Sequence, residues 1–325
     1  MRRRILVRTA GSAQDLGHQV VRVAAAALLA LLLSNTAPAQ SRGALGQALV
    51  TDDADGFHSW LIRGGALVDH ASYLDYKGVA VQTTHYSQSG WSRDAPGIVG
   101  LWRDQRRDTL AGVNAEGGVV QVAGHTRPIG DATWSLRPAP GTGVELVAAG
   151  GLVETQTALD RGIAYTLWGA SVEQTLGDRF TAIGFVGAQP FTDGNDRVHL
   201  RARLVWDALP EYGITAQLRW RHYESRKSDV GGAYFNPDRY SQWLAGVGIR
   251  QRHSRWVWSG SFFGGEQDIK GAGTQPSYLT EIRGEGSLAG DIHLALNFLY
   301  SRAAAFSQSP NYWYGLIGAT IIAPF

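Results

Sequence analysis

The stretch Tyr312-Trp313-Tyr314-Gly315-Leu316-Ile317-Gly318-Ala319-Thr320-Ile321-Ile322-Ala323-Pro324-Phe325 decides the fold. It is amphipathic, aromatic at its start, and stops on Phe325. A soluble domain rarely ends on its most apolar strand with the terminal carboxylate on a Phe. A strand that closes a barrel in lipid does, because an open edge would leave N–H and C=O groups unpaired where no water reaches them. The stretch therefore predicts an all-β, transmembrane antiparallel β-barrel in a bacterial outer membrane. Phe325 is the expected signal to the barrel-assembly machinery, and outer-membrane lipid is the expected surround.

The other end agrees with that compartment. Arg2, Arg3 and Arg4 open the chain, Arg8 and Arg22 follow, and Val23 to Leu33 is an unbroken apolar run. Ser34-Asn35-Thr36-Ala37-Pro38-Ala39-Gln40 comes next. A charged region, a short apolar region and an Ala-x-Ala site predict a secretory signal peptide over 1–39, cleaved after Ala39. The run is too short for a transmembrane helix. Removing these residues takes away five Arg and one Asp and turns the net charge of +2 slightly negative. No bulk charge then favours nucleic acid. There is no Cys, which excludes disulfides, thiolate metal sites and a lipid-anchored Cys. Residues 40–56 read as a short polar periplasmic lead-in and 57–325 as the barrel.

Segments of about ten residues alternate apolar and polar along this region, the signature of membrane strands. Arg197, His199, Arg201 and Arg203 alternate with Val198, Leu200, Ala202 and Leu204. Thr215, Gln217, Arg219 and Arg221 alternate with Ile214, Ala216, Leu218 and Trp220. Period two puts each set on its own face of the sheet. A soluble sandwich would alternate as well, but its Trp and Tyr would not gather near strand ends. Here Trp206, Trp220, Tyr223, Trp243, Trp256, Trp258, Tyr300, Trp313 and Tyr314 do, as an interfacial girdle requires. Strands are expected near 58–67, 76–86, 97–104, 108–115, 117–126, 130–137, 142–151 and 161–174. Others are expected near 178–188, 195–206, 211–222, 239–252, 255–266, 276–287, 290–301 and 312–324. That is about sixteen, or about fourteen if 108–115 and 130–137 are not strands; both counts are even, as bacterial barrels require.

The charges on the polar face are the first candidates for function. Arg197, Arg201, Arg203, Arg219, Arg221, Arg250 and Arg252 share one parity on successive strands, and Glu281, Arg283 and Glu285 share it on a later one. A charge turned toward lipid near mid-depth costs about 2–4 kcal/mol, so these ten are expected to line the lumen. Such a lining either guides a polar solute or satisfies itself in Arg–Glu pairs. The second candidate is Tyr234-Phe235-Asn236-Pro237, in a loop between two confident alternations. Aromatic faces stack on sugar rings, so the loop reads as a gate or sugar platform; the alternative is that both rings fold inward and plug the mouth.

Tyr234-Phe235-Asn236-Pro237, the small-residue-rich strand after it and the basic turn Arg250-Gln251-Arg252-His253-Ser254-Arg255-Trp256 carry a resemblance. They resemble the C-terminal barrels of bacterial exopolysaccharide exporters, the outer-membrane pores for poly-N-acetylglucosamine or cellulose. The similarity spans Tyr234 to Phe325. It implies sixteen strands and passage of an extracellular polysaccharide. Those exporters carry a tetratricopeptide array before the barrel, which has no counterpart in this sequence. The resemblance therefore implies a stand-alone barrel whose periplasmic scaffold or synthase complex is another protein.

Enzyme chemistry finds no constellation. The histidines are scattered without metal-ligand spacing, and there is no Gly-x-Ser-x-Gly elbow. Asp291-x-His293 lies at a short turn, and Glu266-Gln267-Asp268 reads as a solvated loop mouth. No metal or cofactor is expected. The leading expectation is a pore for polysaccharide passage. A general diffusion porin for small polar solutes is the alternative, and a barrel enzyme or structural surface protein the third.

Overall fold

Sixteen strands close into one antiparallel barrel in the computed structural model, which describes residues 42–227, 229–303 and 312–325. The first eight are β1 (Gly43–Asp53), β2 (His58–Ser72), β3 (Asp75–Gln88), β4 (Trp91–Gln105), β5 (Gly112–Val122), β6 (His125–Ala139), β7 (Thr142–Leu152) and β8 (Ala164–Leu176). The second eight are β9 (Phe180–Pro190), β10 (Asp196–Leu209), β11 (Ile214–Ser225), β12 (Arg239–His253), β13 (Trp256–Ile269), β14 (Gly273–Ala289), β15 (Ile292–Arg302) and β16 (Tyr314–Pro324). Each strand pairs with its sequence neighbours. The ring closes where β1 meets β16, from Gly43 opposite Pro324 to Asp53 opposite Tyr314. No sheet edge is left open, which is what lipid demands.

Two expectations are corrected here. Most of 40–56 is not a lead-in but β1, the strand that closes the barrel. Its inner face reads Leu45, Gln47, Leu49 and Thr51, while small residues such as Ala44, Gly46 and Ala48 weaken the outer half of the alternation. Conversely, the strands expected at 108–115 and 117–126 are one strand, β5. Leu110 and Gly112 take φ of 55° and 131°, which breaks the chain before β5 begins. A Cβ on Gly112 would meet the Asp104 carbonyl oxygen, so only glycine fits that return. Sixteen is thus reached with one strand missed and one counted twice. The signal peptide expected over 1–39 lies outside the described residues.

The outer face is an apolar belt. Val81, Ile98, Val186, Val247, Phe262 and Ile317 are at least half exposed and sit on the outward parity of their strands. Two aromatic girdles flank it. Trp168, Trp243, Tyr278 and Tyr300 lie toward the rim with the long loops; Trp102, Trp134, Phe180, Trp206 and Trp258 lie toward the rim with the termini. This is the dress of a lipid-embedded barrel. Tyr223 and Tyr314, expected in the girdle, belong instead to the inner face, and Tyr223 is buried against Tyr240. Period two explains the difference: each sits one residue out of phase with the outward set.

The two rims differ as an outer-membrane orientation requires. The Phe325 N–H bonds the Arg42 carbonyl on the rim of short turns, such as 177–179 and 290–291. The opposite rim carries the longer connections 153–163 and 226–238. The first of these holds a short helix, α1 (Gln156–Asp160), capped where Thr155 Oγ1 accepts from the Ala158 N–H at 3.2 Å. Short turns mark the periplasmic side and long loops the external side.

Candidate functional site

The lumen has two unlike walls. On β1 to β4 and β16 it is packed around an apolar patch: Leu45, Leu67, Tyr76, Ala80, Val99, Leu101 and Ile322 form one buried cluster. Arg63 shares this inner face, opposite Gln47 and Gln82 in the register. Arg63 is 7% exposed; its Nε donates to Gln82 Oε1 at 2.9 Å and its two terminal nitrogens grip Glu116 at 2.6 and 3.1 Å. Glu116 in turn faces Asp131 directly across the strand pair. The sequence reading missed this group, because the glycines and short side chains around Arg63 hide the alternation of β2.

The second wall, from β9 to β14, is cationic and aromatic. The register carries all ten charged residues named from the sequence to the inner face. Their surroundings differ. The Arg201 guanidinium lies over Phe185, 5.0 Å from the ring centre. Arg221 lies over Tyr223 and Tyr240, at 5.4 and 5.7 Å. Arg219 sits 3.8 Å above Phe263 and pairs with Glu281 at 3.0 Å. Arg203 donates twice to Gln217 Oε1, at 2.8 and 3.1 Å. Arg250, Arg252, Arg283 and Glu285 share the inner parity nearer the periplasmic rim and, among the described residues, make no side-chain hydrogen bond or ion pair. The aromatic partners were legible only in part: Phe185 and Phe263 are separated from their arginines by at least one strand turn in sequence.

Arg197 has a different task. Its guanidinium is ringed by Phe191, Tyr223 and Tyr234, at 4.9, 5.1 and 5.5 Å. It donates to the Phe235 carbonyl and to Asn236 Oδ1. Asn195 Nδ2 also donates to Asn236 Oδ1 at 2.8 Å, and the Tyr234 hydroxyl donates to Asp193 at 2.9 Å. The 226–238 loop is therefore bolted into the mouth from β10 and the 191–195 connection. Thr155 Oγ1 adds a bond to the Ala233 carbonyl, joining it to the α1 loop. Val153, Ala158, Ile163, Phe191, Ala233 and Tyr234 form one buried cluster between these loops.

Tyr234, Phe235 and Asn236 are all buried, so the platform reading is corrected: the rings are not displayed to the outside. Burying two aromatic rings, at about 25 cal/mol per Å², offsets part of the cost of ordering the loop. Pro237 holds the loop's return toward β12. The histidine and acidic pairs noted in the sequence also separate. His293 stacks face to face on Tyr73 at 3.9 Å, and Asp268 lies 3.8 Å from Arg239 at the external rim.

Beneath the loops lies a cavity of about 340 Å³, bounded by Asp53, Asp55, Gln88, Glu154, Tyr234 and Phe235. Burial raises the Glu154 carboxyl to about 7, against a lowering by its hydrogen bond to Tyr86. A carboxyl raised in the folded state gives stability that is full below its unfolded value and is lost as pH climbs through the folded one. The docked mouth should therefore loosen between about pH 4.5 and 7. In planar bilayers, wild-type channel noise is expected to grow across that interval, and Glu154→Gln to remove the dependence. A pH profile unchanged by Glu154→Gln would rule this group out.

No protein-family model matches the chain, and no curated protein matches it in sequence. Solved structures do match in shape. A bacterial polysaccharide outer membrane secretin superposes over 88% of this chain and 99% of its own, at 13% identity and a TM-score of 0.61. OccK7 of Pseudomonas aeruginosa covers 87% of this chain and 99% of its own, at 9% identity and 0.41. The outer membrane protein OprD of Pseudomonas aeruginosa covers 88% and 94%, at 11% identity and 0.39. At such identities the likeness is one of fold. Together with the lipid-facing belt, the two girdles and the closed ring of strands, it makes this chain a sixteen-stranded bacterial outer-membrane β-barrel.

Proposed function

We propose that the barrel is an outer-membrane pore for secretion of an extracellular polysaccharide. The observation that carries this reading is the wall from β9 to β14, where guanidinium groups and aromatic rings alternate from the mouth inward. Arg221 with Tyr223 and Tyr240, Arg201 with Phe185, and Arg219 with Phe263 mark its course. A sugar ring has hydroxyls at its edge and C–H bonds on its faces. The guanidinium N–H groups along the wall offer donors to those hydroxyls at each step, while the buried rings hold the guanidinium groups in place. The fold-level likeness to a structure described as a polysaccharide secretin supports the same reading.

The docked 226–238 loop fits a conduit that is closed when empty. Movement needs no chemistry at the wall; it would follow synthesis of the polymer, with a separate periplasmic scaffold or synthase complex as partner. The barrel-assembly machinery would insert the chain in the membrane.

The test is single-channel recording of the refolded barrel, with and without oligosaccharides. A small or gated current that oligomers interrupt is the expected result. A large, steady current indifferent to sugars would replace the proposal with general diffusion of small polar solutes. Absence of any current would leave a plugged barrel with an enzymatic or structural role.

A further inference from the structure

The cationic wall carries more positive charge than its surroundings neutralise. Arg201 stands directly opposite Arg221, and Arg203 directly opposite Arg219, on the paired strands β10 and β11. Like charges facing across an antiparallel pair destabilise it. Among the described residues, one carboxylate touches this quartet, Glu281 on Arg219. Glu173, on the inner face of β8, is the next carboxylate on that side and acts on Arg203 through space only. Among the described residues, neither Arg201 nor Arg221 donates a side-chain hydrogen bond or forms an ion pair. The Nε of Arg219 is buried with no partner.

Arg201, Arg219 and Arg221 are held against aromatic rings, and Arg203 by its two bonds to Gln217. Phe185, Phe263, Tyr223 and Tyr240 cover the flat faces of the guanidinium groups. Stacking leaves the N–H edge of the fork uncovered, the edge that matches a carboxylate in bidentate fashion. A track built only for neutral sugar would be served by Gln, Asn and Ser, with no repulsion between strands. Two pairs of arginines facing across β10 and β11 are an arrangement that an incoming oxyanion would relieve.

We infer that Arg201, Arg203, Arg219 and Arg221 form an oxyanion-binding station, and that the polymer this barrel carries is acidic, with carboxylates along its chain. The inference rests on the proposed polysaccharide passage and adds the charge of the substrate to it. It departs from a neutral or amino-sugar glycan, which would leave the facing arginine charges unneutralised.

Two measurements on the full refolded barrel separate the two ideas. The first is binding of fluorescently labelled oligomers of equal length in detergent: an oligouronate, a neutral gluco-oligomer and a glucosamine oligomer. The oligouronate is expected to bind at least about tenfold more tightly than either of the others, a modest return for charge-assisted hydrogen bonds. Raised salt should erode that preference. The double variant Arg201→Gln with Arg221→Gln, which spares the Arg219–Glu281 pair, should lose it. The variant Arg201→Lys with Arg221→Lys should keep part, since it retains charge without the fork. Equal binding of the three oligomers, or tighter binding of the glucosamine oligomer, by the wild-type barrel overturns the station whether or not any variant folds. The second measurement is current block by the same oligomers. Acid-selective binding with no current at all would keep the station and reject the pore. Block that ignores oligomer charge would keep the pore and reject the station.

Discussion

Replacing Arg63 by methionine is expected to lower the stability of the barrel by about 2 kcal/mol, less than the loss of one partner of a fully buried pair, because the Glu116 side chain is 36% exposed. The side chain is buried, stands between Gln47 and Gln82 in the register, and is the cation paired with Glu116. Without it, Glu116 and Gln82 lose three hydrogen bonds. Glu116 would also confront Asp131 across the strand pair with no cation between them. Methionine fills a similar volume, so the loss should come from the stranded polar groups and not from a void. The companion change Glu116→Gln should therefore recover most of it, since removing both charges is far cheaper than removing one. Denaturant unfolding in lipid vesicles, followed by tryptophan fluorescence, gives both numbers. If Arg63→Met unfolds within about 0.5 kcal/mol of wild type, the pair is ornamental and the packed wall stands without it.

A pair of adjacent substitutions should differ nearly as much. Val172 and Ser171 are neighbours on β8 at the same depth. Val172 is 49% exposed on the outer belt, while Ser171 faces the lumen between Glu145 and Phe185 in the register. Arginine at 172 is expected to cost about 2–4 kcal/mol, because its charge must leave water for hydrocarbon. Arginine at 171 enters a wet, polar channel beside Glu145 and should cost less than about 1 kcal/mol. The same unfolding assay reads both. Equal costs would mean that the parity of β8 is reversed, and with it the inside and outside of this part of the barrel.

Much of the site was legible where alternation was clean. From Arg197 to Leu204 in β10 and from Ile214 to Arg221 in β11 every second residue is charged or polar and every other is apolar, so the alternation alone assigns Arg197, Arg201, Arg203, Arg219 and Arg221 to the inner face. Where glycine and alanine dilute the pattern, as in β1 and β2, the same rule failed. It missed a closing strand and the Arg63 group. Tyr223 shows a subtler limit. Its closeness to a strand end suggested the girdle, but one step of phase turned it inward, where it stacks on Tyr240 and carries the guanidinium of Arg221.

The sequence by itself determined the class of solvent and the class of fold. Period-two alternation, terminal aromatics and a final apolar strand have one stable outcome in lipid, since every backbone group must pair within a closed sheet. It also determined which charges are excluded from the outer face, because the cost of exposing them to hydrocarbon is local to each residue. Only the tertiary structure decided what those charges meet. Arg219 finds Glu281 and Phe263 across β12, and Arg197 clamps a loop that begins nearly thirty residues later. The ring's curvature and register make those encounters, and neither is written in the spacing of any one strand. The division of the lumen into a packed apolar wall and a cationic aromatic wall belongs to the same level, since it arises when strands far apart in sequence are brought to face one another.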